Sequence, residues 1–140
     1  MLSLTHPVVD IAITPSRFEA SLHFYHECLG LDIVMDLKIP EEVAKEAGLA
    51  PGSFRQVRLK AGNTLIKLMD IDSPPPKPEE GFRAGVRWLT FFVADIEDTI
   101  ESLERKGLKF LSDPVKAPDV AGVACVRDPD GILIEFVQIR

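Results

Sequence analysis

Apolar and polar positions along the chain follow a strand, helix, strand order that is written twice. Residues 8–14, VVDIAIT, read as a strand. Phe18, Leu22, Tyr25 and Leu29 then recur at helical spacing, with Ser16 and Glu19 as a capping box in front and Gly30 as the stop. Residues 86–93, VRWLTFFV, read as a second such strand. Asp95 follows as an N-cap, and Ile96, Ile100 and Leu103 share one helical face before Gly107. GLDIV after the first helix matches GLKFL after the second, and TLIKLMD matches ILIEFVQ, so Lys67 falls where Glu135 falls.

Between these landmarks the first half predicts a strand over LDIVMDLKI, a short helix over PEEVAKEAG and a strand over SFRQVRLKAG. The second half offers GLKFLSDPV and VAGVACVRD in the matching places. Each half is therefore expected to be β-α-β-β-β, with module 1 over residues 1–71 and module 2 over residues 82–140. The segment between them, DSPPPKPEEG over residues 72–81, is too proline-rich for a helix and reads as an extended linker rather than a polyproline ligand. Strand alternation turns Ile11, Ile13, Leu89, Phe91 and Val93 toward the helices and Asp10 to the other side.

Composition bounds what such a chain can do. At 140 residues and 46% hydrophobic it can bury a core as a single domain. A net charge of −6 with no Lys/Arg run argues against nucleic acid as a partner. No apolar run approaches the roughly 18 residues that span a bilayer, and no charged, apolar leader opens the chain, so a cytoplasmic protein with no membrane partner is expected. Cys28 and Cys125 form no CxxC pair, which suggests neither a zinc site nor a disulfide framework, and Cys28 reads as buried filler. The absence of a nucleophile elbow, a Walker loop and a GxGxxG run removes hydrolase, NTPase and dinucleotide classes.

One acid stands out. In DPDGILIEF, Glu135 interrupts an apolar strand between Ile134 and Phe136, directly after a tight turn made by Asp128, Pro129, Asp130 and Gly131. Solvent, a partner or chemistry must account for it.

Two βαβββ modules, with FYHECLGLDIV in the first and RDPDGILIEFVQ closing the second, resemble the vicinal oxygen chelate superfamily. That family of glyoxalases, bleomycin resistance proteins and dioxygenases also holds epimerases and fosfomycin resistance enzymes. The resemblance spans essentially the whole chain. It implies an α+β fold of two βαβββ modules whose curved mixed sheets surround a cavity, with the helices outside. It further implies a metal site built from four inward positions, on the first and last strands of the modules, usually His or Glu. The matching positions here are Asp10, Lys67, Trp88 and Glu135, of which only Glu135 keeps the pattern.

Trp88 has no lone pair to offer, Lys67 brings a positive charge to the metal's place, and two carboxylates are too few. No cofactor is therefore expected; a divalent metal, if held, would rest on Glu135 and Asp10. The resemblance implies that the four residues converge in one cavity. There Asp10, Lys67 and Glu135 would form a charge cluster in place of the ion, Glu135 acting as base and Lys67 as electrophile. The bland alternative has Lys67 reaching out to solvent beside a wet groove and Trp88 as plain core. Trp88, Phe92 and Arg58 are the candidate substrate contacts, Arg58 favouring an anion. His6 reads as terminal and exposed, and His23 with His26 as a surface pair. Two functions remain: an enzyme of lyase, isomerase or oxygenase type with a degenerate metal site, or a metal-free protein that sequesters a small molecule. Either works on a small-molecule ligand, and the resemblance implies a homodimer.

Overall fold

Both runs of alternating side chains form four-stranded sheets in the computed structural model, which describes residues 1–140. The chain divides into two units, Met1–Lys77 and Pro78–Arg140, each holding one sheet. The first sheet contains β1 (Ile11–Ile13), β2 (Asp32–Ile39), β3 (Phe54–Ala61) and β4 (Thr64–Asp70) in the order β1-β4-β3-β2. The second contains β5 (Trp88–Phe92), β6 (Val115–Ala117), β7 (Val120–Arg127) and β8 (Leu133–Ile139) in the order β5-β8-β7-β6. In each, the first strand lies parallel to the last and the remaining pairs are antiparallel. These are the expected mixed α+β sheets, and neither closes into a barrel.

One face of each sheet is covered by its longer helix, α1 or α3, while the short α2 packs on the end of the other face of the first sheet. In the first unit α1 (Phe18–Leu22) runs into a wider π-helical turn, His23–Cys28, where Leu29 N donates to Phe24 O at 2.9 Å. Gly30, at φ 74°, ends it as expected. The start differs: Arg17, not Ser16, occupies the N-cap and supplies no side-chain cap. The buried stripe is Phe18, Ser21, Phe24, Tyr25 and Cys28, one position round from the one read off the leucines. Beneath it lie Ile13, Val57, Leu59, Ile66 and Leu68, all buried. A short α2 (Glu41–Glu46) follows Pro40 and buries Ala44 against Phe54 and Met69.

In the second unit α3 (Ile96–Arg105) opens on Asp95, whose Oδ1 accepts from Asp98 N at 2.9 Å, the cap the sequence predicts. It covers Leu89, Ala124, Val126, Ile134 and Phe136. Ile96 N is satisfied by Gln138 Oε1 on β8 at 2.9 Å. Gly122 on β7 permits the close approach, since a Cβ there would sit 2.8 Å from Ile96 Cγ2.

The largest departure from the sequence pattern is the second strand of this unit. Of GLKFLSDPV only Val115 enters a strand, and β6 has only three residues where β2 has eight. Leu111 N still donates to Cys125 O at 3.0 Å, a single rung, but Pro114 lacks the N–H needed to extend it. Residues 71–87 carry no regular element. No helix is long and apolar enough to cross a membrane.

Candidate functional site

Each sheet has a second face, turned away from α1 or α3, and the candidate residues stand on these faces. In the first unit β1 pairs with β4 so that Ala12 meets Lys67, and strand alternation carries Asp10 to the same side. Lys67 Nζ lies 3.2 Å from Asp10 Oδ2, and Asp10 Oδ1 accepts from Leu65 N at 3.0 Å. The Leu65 N–H, and after it the Lys67 ammonium, hold the Asp10 carboxyl below its ordinary range. Arg58 is the Cα partner of Lys67 across β3 and β4, so register puts it on this face. Its Nε donates to Gln56 Oε1 at 2.7 Å and its Nη1 lies 3.4 Å from Met35 Sδ.

The corresponding face of the second unit is organised around Glu135. The turn ahead of β8 is tied by Asp128, whose Oδ1 accepts from Asp130 N and Ile132 N, each at 2.9 Å, while Gly131 takes φ 87°. This turn fixes the register that sets Glu135 between Thr90 on β5 and Cys125 on β7. Trp88 Nε1 lies 3.1 Å from Thr90 Oγ1, which lies 2.7 Å from Glu135 Oε1. The direction of this chain is fixed by chemistry. An indole nitrogen only donates, so the Thr90 oxygen accepts from it and donates its own O–H in a hydrogen bond to the carboxylate. Burial, and then the charge of Glu135, push the Cys125 thiol above its ordinary value.

Trp88 and Phe92 are 49% and 69% exposed on the same side of β5. The sequence reading named these two and passed over Thr90, although alternation along β5 aligns positions 88, 90 and 92. His6 is exposed, as expected. His23 is exposed too, but His26 is half-buried and engages Leu31 O through Nδ1 at 2.8 Å rather than pairing with His23. Neither face gathers three His, Cys, Asp or Glu side chains within reach of one ion.

The comparisons with known proteins agree with this architecture. The family model of the Glyoxalase/Bleomycin resistance protein/Dioxygenase superfamily matches residues 7–136. The chain is 25% identical over 137 residues to the uncharacterized protein YwkD of Bacillus subtilis, spanning 96% of this chain and 98% of that one. It is 28% identical over 124 residues to "Probable lactoylglutathione lyase, chloroplastic" of Arabidopsis thaliana, covering 86% of this chain but 32% of that longer protein. Among solved structures, TnmS3, described as an antibiotic binding protein from a Streptomyces strain, superposes with a TM-score of 0.70 at 23% identity over 100% of both chains. From its paired βαβββ sheets to its family match, this chain belongs to the Glyoxalase/Bleomycin resistance protein/Dioxygenase superfamily.

Proposed function

We propose that this protein binds a small organic molecule on the open faces of its sheets and works on it without a divalent metal. The observation that carries the reading is the Asp10–Lys67 ion pair at 3.2 Å, which sets an ammonium at one of the superfamily's metal positions. The donor set does not fit a divalent ion. Asp10 is engaged by Lys67 and Leu65, Trp88 offers no lone pair, and Glu135 already accepts a hydrogen bond from Thr90.

In the enzymatic form of this reading the chemistry is of the lyase, isomerase or oxygenase class. Lys67 contributes positive charge for an oxygen that becomes anionic, and Asp10 keeps the ammonium in position. Glu135 serves as the base, with one carboxylate oxygen oriented by Thr90 and the other left to accept a proton. Sequestration without turnover is the second reading. The exposed Trp88 and Phe92 favour it, since flat apolar surface binds aromatic compounds without any reacting group. Both forms suit a cytoplasmic protein with two free cysteines. We also infer a homodimer, because edge strand β2 leaves Ile33, Val34 and Met35 exposed; light scattering at 15.5 kDa alone would refute it.

The deciding experiment is elemental analysis of the purified protein followed by calorimetric titration with nickel, zinc, manganese and iron(II). No stoichiometric binding is expected, whereas Lys67→Glu should gain affinity for divalent ions. Tight binding by the wild type that disappears in Glu135→Gln would overturn the proposal. Proton exchange into a bound ligand that vanishes in Glu135→Gln marks the enzymatic form.

A further inference from the structure

Like charges set opposite one another on an antiparallel pair destabilise a sheet, yet Arg58 and Lys67 are Cα partners across β3 and β4. Lys67 is answered by Asp10. Arg58 is not: its contacts are a neutral amide oxygen and a thioether, and no carboxylate lies within ion-pair range. The same strand shows what a paired arginine looks like. Arg55, on the helix-covered side, forks onto Asp36 at 2.9 and 2.8 Å, lies 3.6 Å from Asp70 and stacks over Phe18. Further along β3 on the Arg58 side, exposed Lys60 makes no ion pair but has Asp32 as its Cα partner, so Arg58 is the half-buried cation of this face with no acid opposite it.

The guanidinium is also held. Gln56, 7% exposed, fixes the Nε edge with its side-chain oxygen at 2.7 Å. That leaves Nη2, and the N–H of Nη1 not turned to Met35 Sδ, as a fork of the geometry that carboxylates and phosphates match, with an ammonium on the neighbouring strand. A preorganised, unneutralised guanidinium on a sheet face is a local conflict that a bound anion resolves.

We propose that Arg58, oriented by Gln56, is the anion-recognising residue of this protein, and that its small-molecule ligand carries a carboxylate or a phosphoryl group. The inference rests on the reading that the open face of the first sheet meets the ligand. Lys67 adds charge, but Arg58 supplies the paired donors that tell an oxyanion from a neutral carbonyl.

The test uses the full-length protein and three probes on one frame: benzoate, phenylphosphonate and neutral benzamide. The Arg58 Nε–Hε signal in the nitrogen-15 spectrum, assigned from its loss in Arg58→Lys, should shift saturably with at least one anion and not with benzamide. Which anion binds identifies the group. Arg58→Gln should weaken that binding on the order of tenfold or more, and Arg58→Lys, which keeps charge but loses the fork, by less. Thermal melts confirm that both variants fold. Binding of neither anion, equal binding of benzamide, or wild-type anion affinity in both variants would overturn the proposal. Metal titration of the same samples reports separately on the metal-free reading, because Arg58 is not one of the four superfamily metal positions. Stoichiometric metal binding alongside Arg58-dependent anion binding would sink that reading and leave this one standing.

Discussion

The contact between α3 and β7 can be tested by adding one methyl group. In Gly122→Ala the new Cβ would lie 2.8 Å from Ile96 Cγ2 and 3.5 Å from Ile96 Cβ and Cγ1, so only the Cγ2 contact is a clash. Ile96 is buried at 4% exposure and its N–H is held by Gln138, so it cannot simply swing away. Overpacking of this kind costs about 1–3 kcal/mol, and relief of glycine's strand penalty returns roughly 0.5–1 kcal/mol, leaving a net loss of about 0.5–2 kcal/mol. Ile96→Ala alone should cost about 2–4 kcal/mol for the cavity it opens. In the double variant the clashing atom is gone and the methyl added on β7 enters part of the void. The two losses should therefore fall short of additivity by about 1–3 kcal/mol. Urea denaturation followed by circular dichroism and by Trp88 fluorescence measures all four corners of the cycle; at a slope of roughly 1–3 kcal/mol per molar, Gly122→Ala moves the midpoint by about 1 M. Additivity within about 0.5 kcal/mol, or a Gly122→Ala variant as stable as the wild type, would refute the reasoning. The outcome bears on chemistry as well as stability, because β7 carries Cys125 beside Glu135.

Three further outcomes follow from other contacts. Asp128→Ala should destabilise the protein by roughly 2–4 kcal/mol, since two backbone N–H groups lose their acceptor, while Asp128→Asn, which keeps one oxygen, should lose less; denaturant melts distinguish them. Asp10 titrates below its ordinary value of 3.8, so its contribution to stability is present above that value and is lost as pH falls through the lower folded-state value. Acid unfolding of Asp10→Asn should accordingly show a shallower pH dependence in that window, and an unchanged acid limb would contradict the pairing. Cys125 should react slowly with iodoacetamide at mildly alkaline pH, because its raised value keeps the thiol protonated, and Glu135→Gln should speed the reaction by removing a neighbouring charge. Peptide mapping separates it from buried Cys28, and an equal or slower rate in Glu135→Gln would argue against that coupling.

How far the sequence could be read depended on whether a local signal set the local structure. Asp95, Gly30, Gly48 and Gly107 mark helix ends that the backbone honours, because a capping carboxylate and a positive φ need only the adjacent residues. Alternation was equally legible: Lys67 and Asp10 share a face because parity requires it, and so does Arg58, whose face needed the β3–β4 register as well. GLKFLSDPV failed as a strand because its apolar alternation resembles that of β2, while Pro114 decides how many rungs form. The helix stripe was displaced by one position because Ser21, a polar residue, is fully buried where the leucines were expected to point inward. Thr90 was invisible for a different reason. A lone threonine on a strand is an ordinary β-former, and its role in joining Trp88 to Glu135 arises only when β5 and β8 are in register.

The two sheets share one strand order, and that repetition lets the protein be compared with itself. Where the two registers coincide, the helix-covered positions carry Val57 and Ala124, Leu59 and Val126, Ile66 and Ile134, Leu68 and Phe136. These four pairs are apolar, while at the end of the same face Arg55 and Asp70 stand where the second sheet has Gly122 and Gln138. On the open faces the same comparison sets Asp10 against Trp88, Ala12 against Thr90, Lys67 against Glu135 and Arg58 against Cys125, and these four change their chemistry, whereas Leu65 and Leu133, Lys60 and Arg127, and Met69 and Val137 keep theirs. The scaffold thus records two levels of constraint within a single chain, one set by the need to bury apolar surface and one that folding leaves free. A lineage built on such a repeat can rewrite its open faces one substitution at a time without renegotiating the core, so a library randomised at positions 10, 12, 67 and 58 should keep a large folded fraction while sampling new ligands.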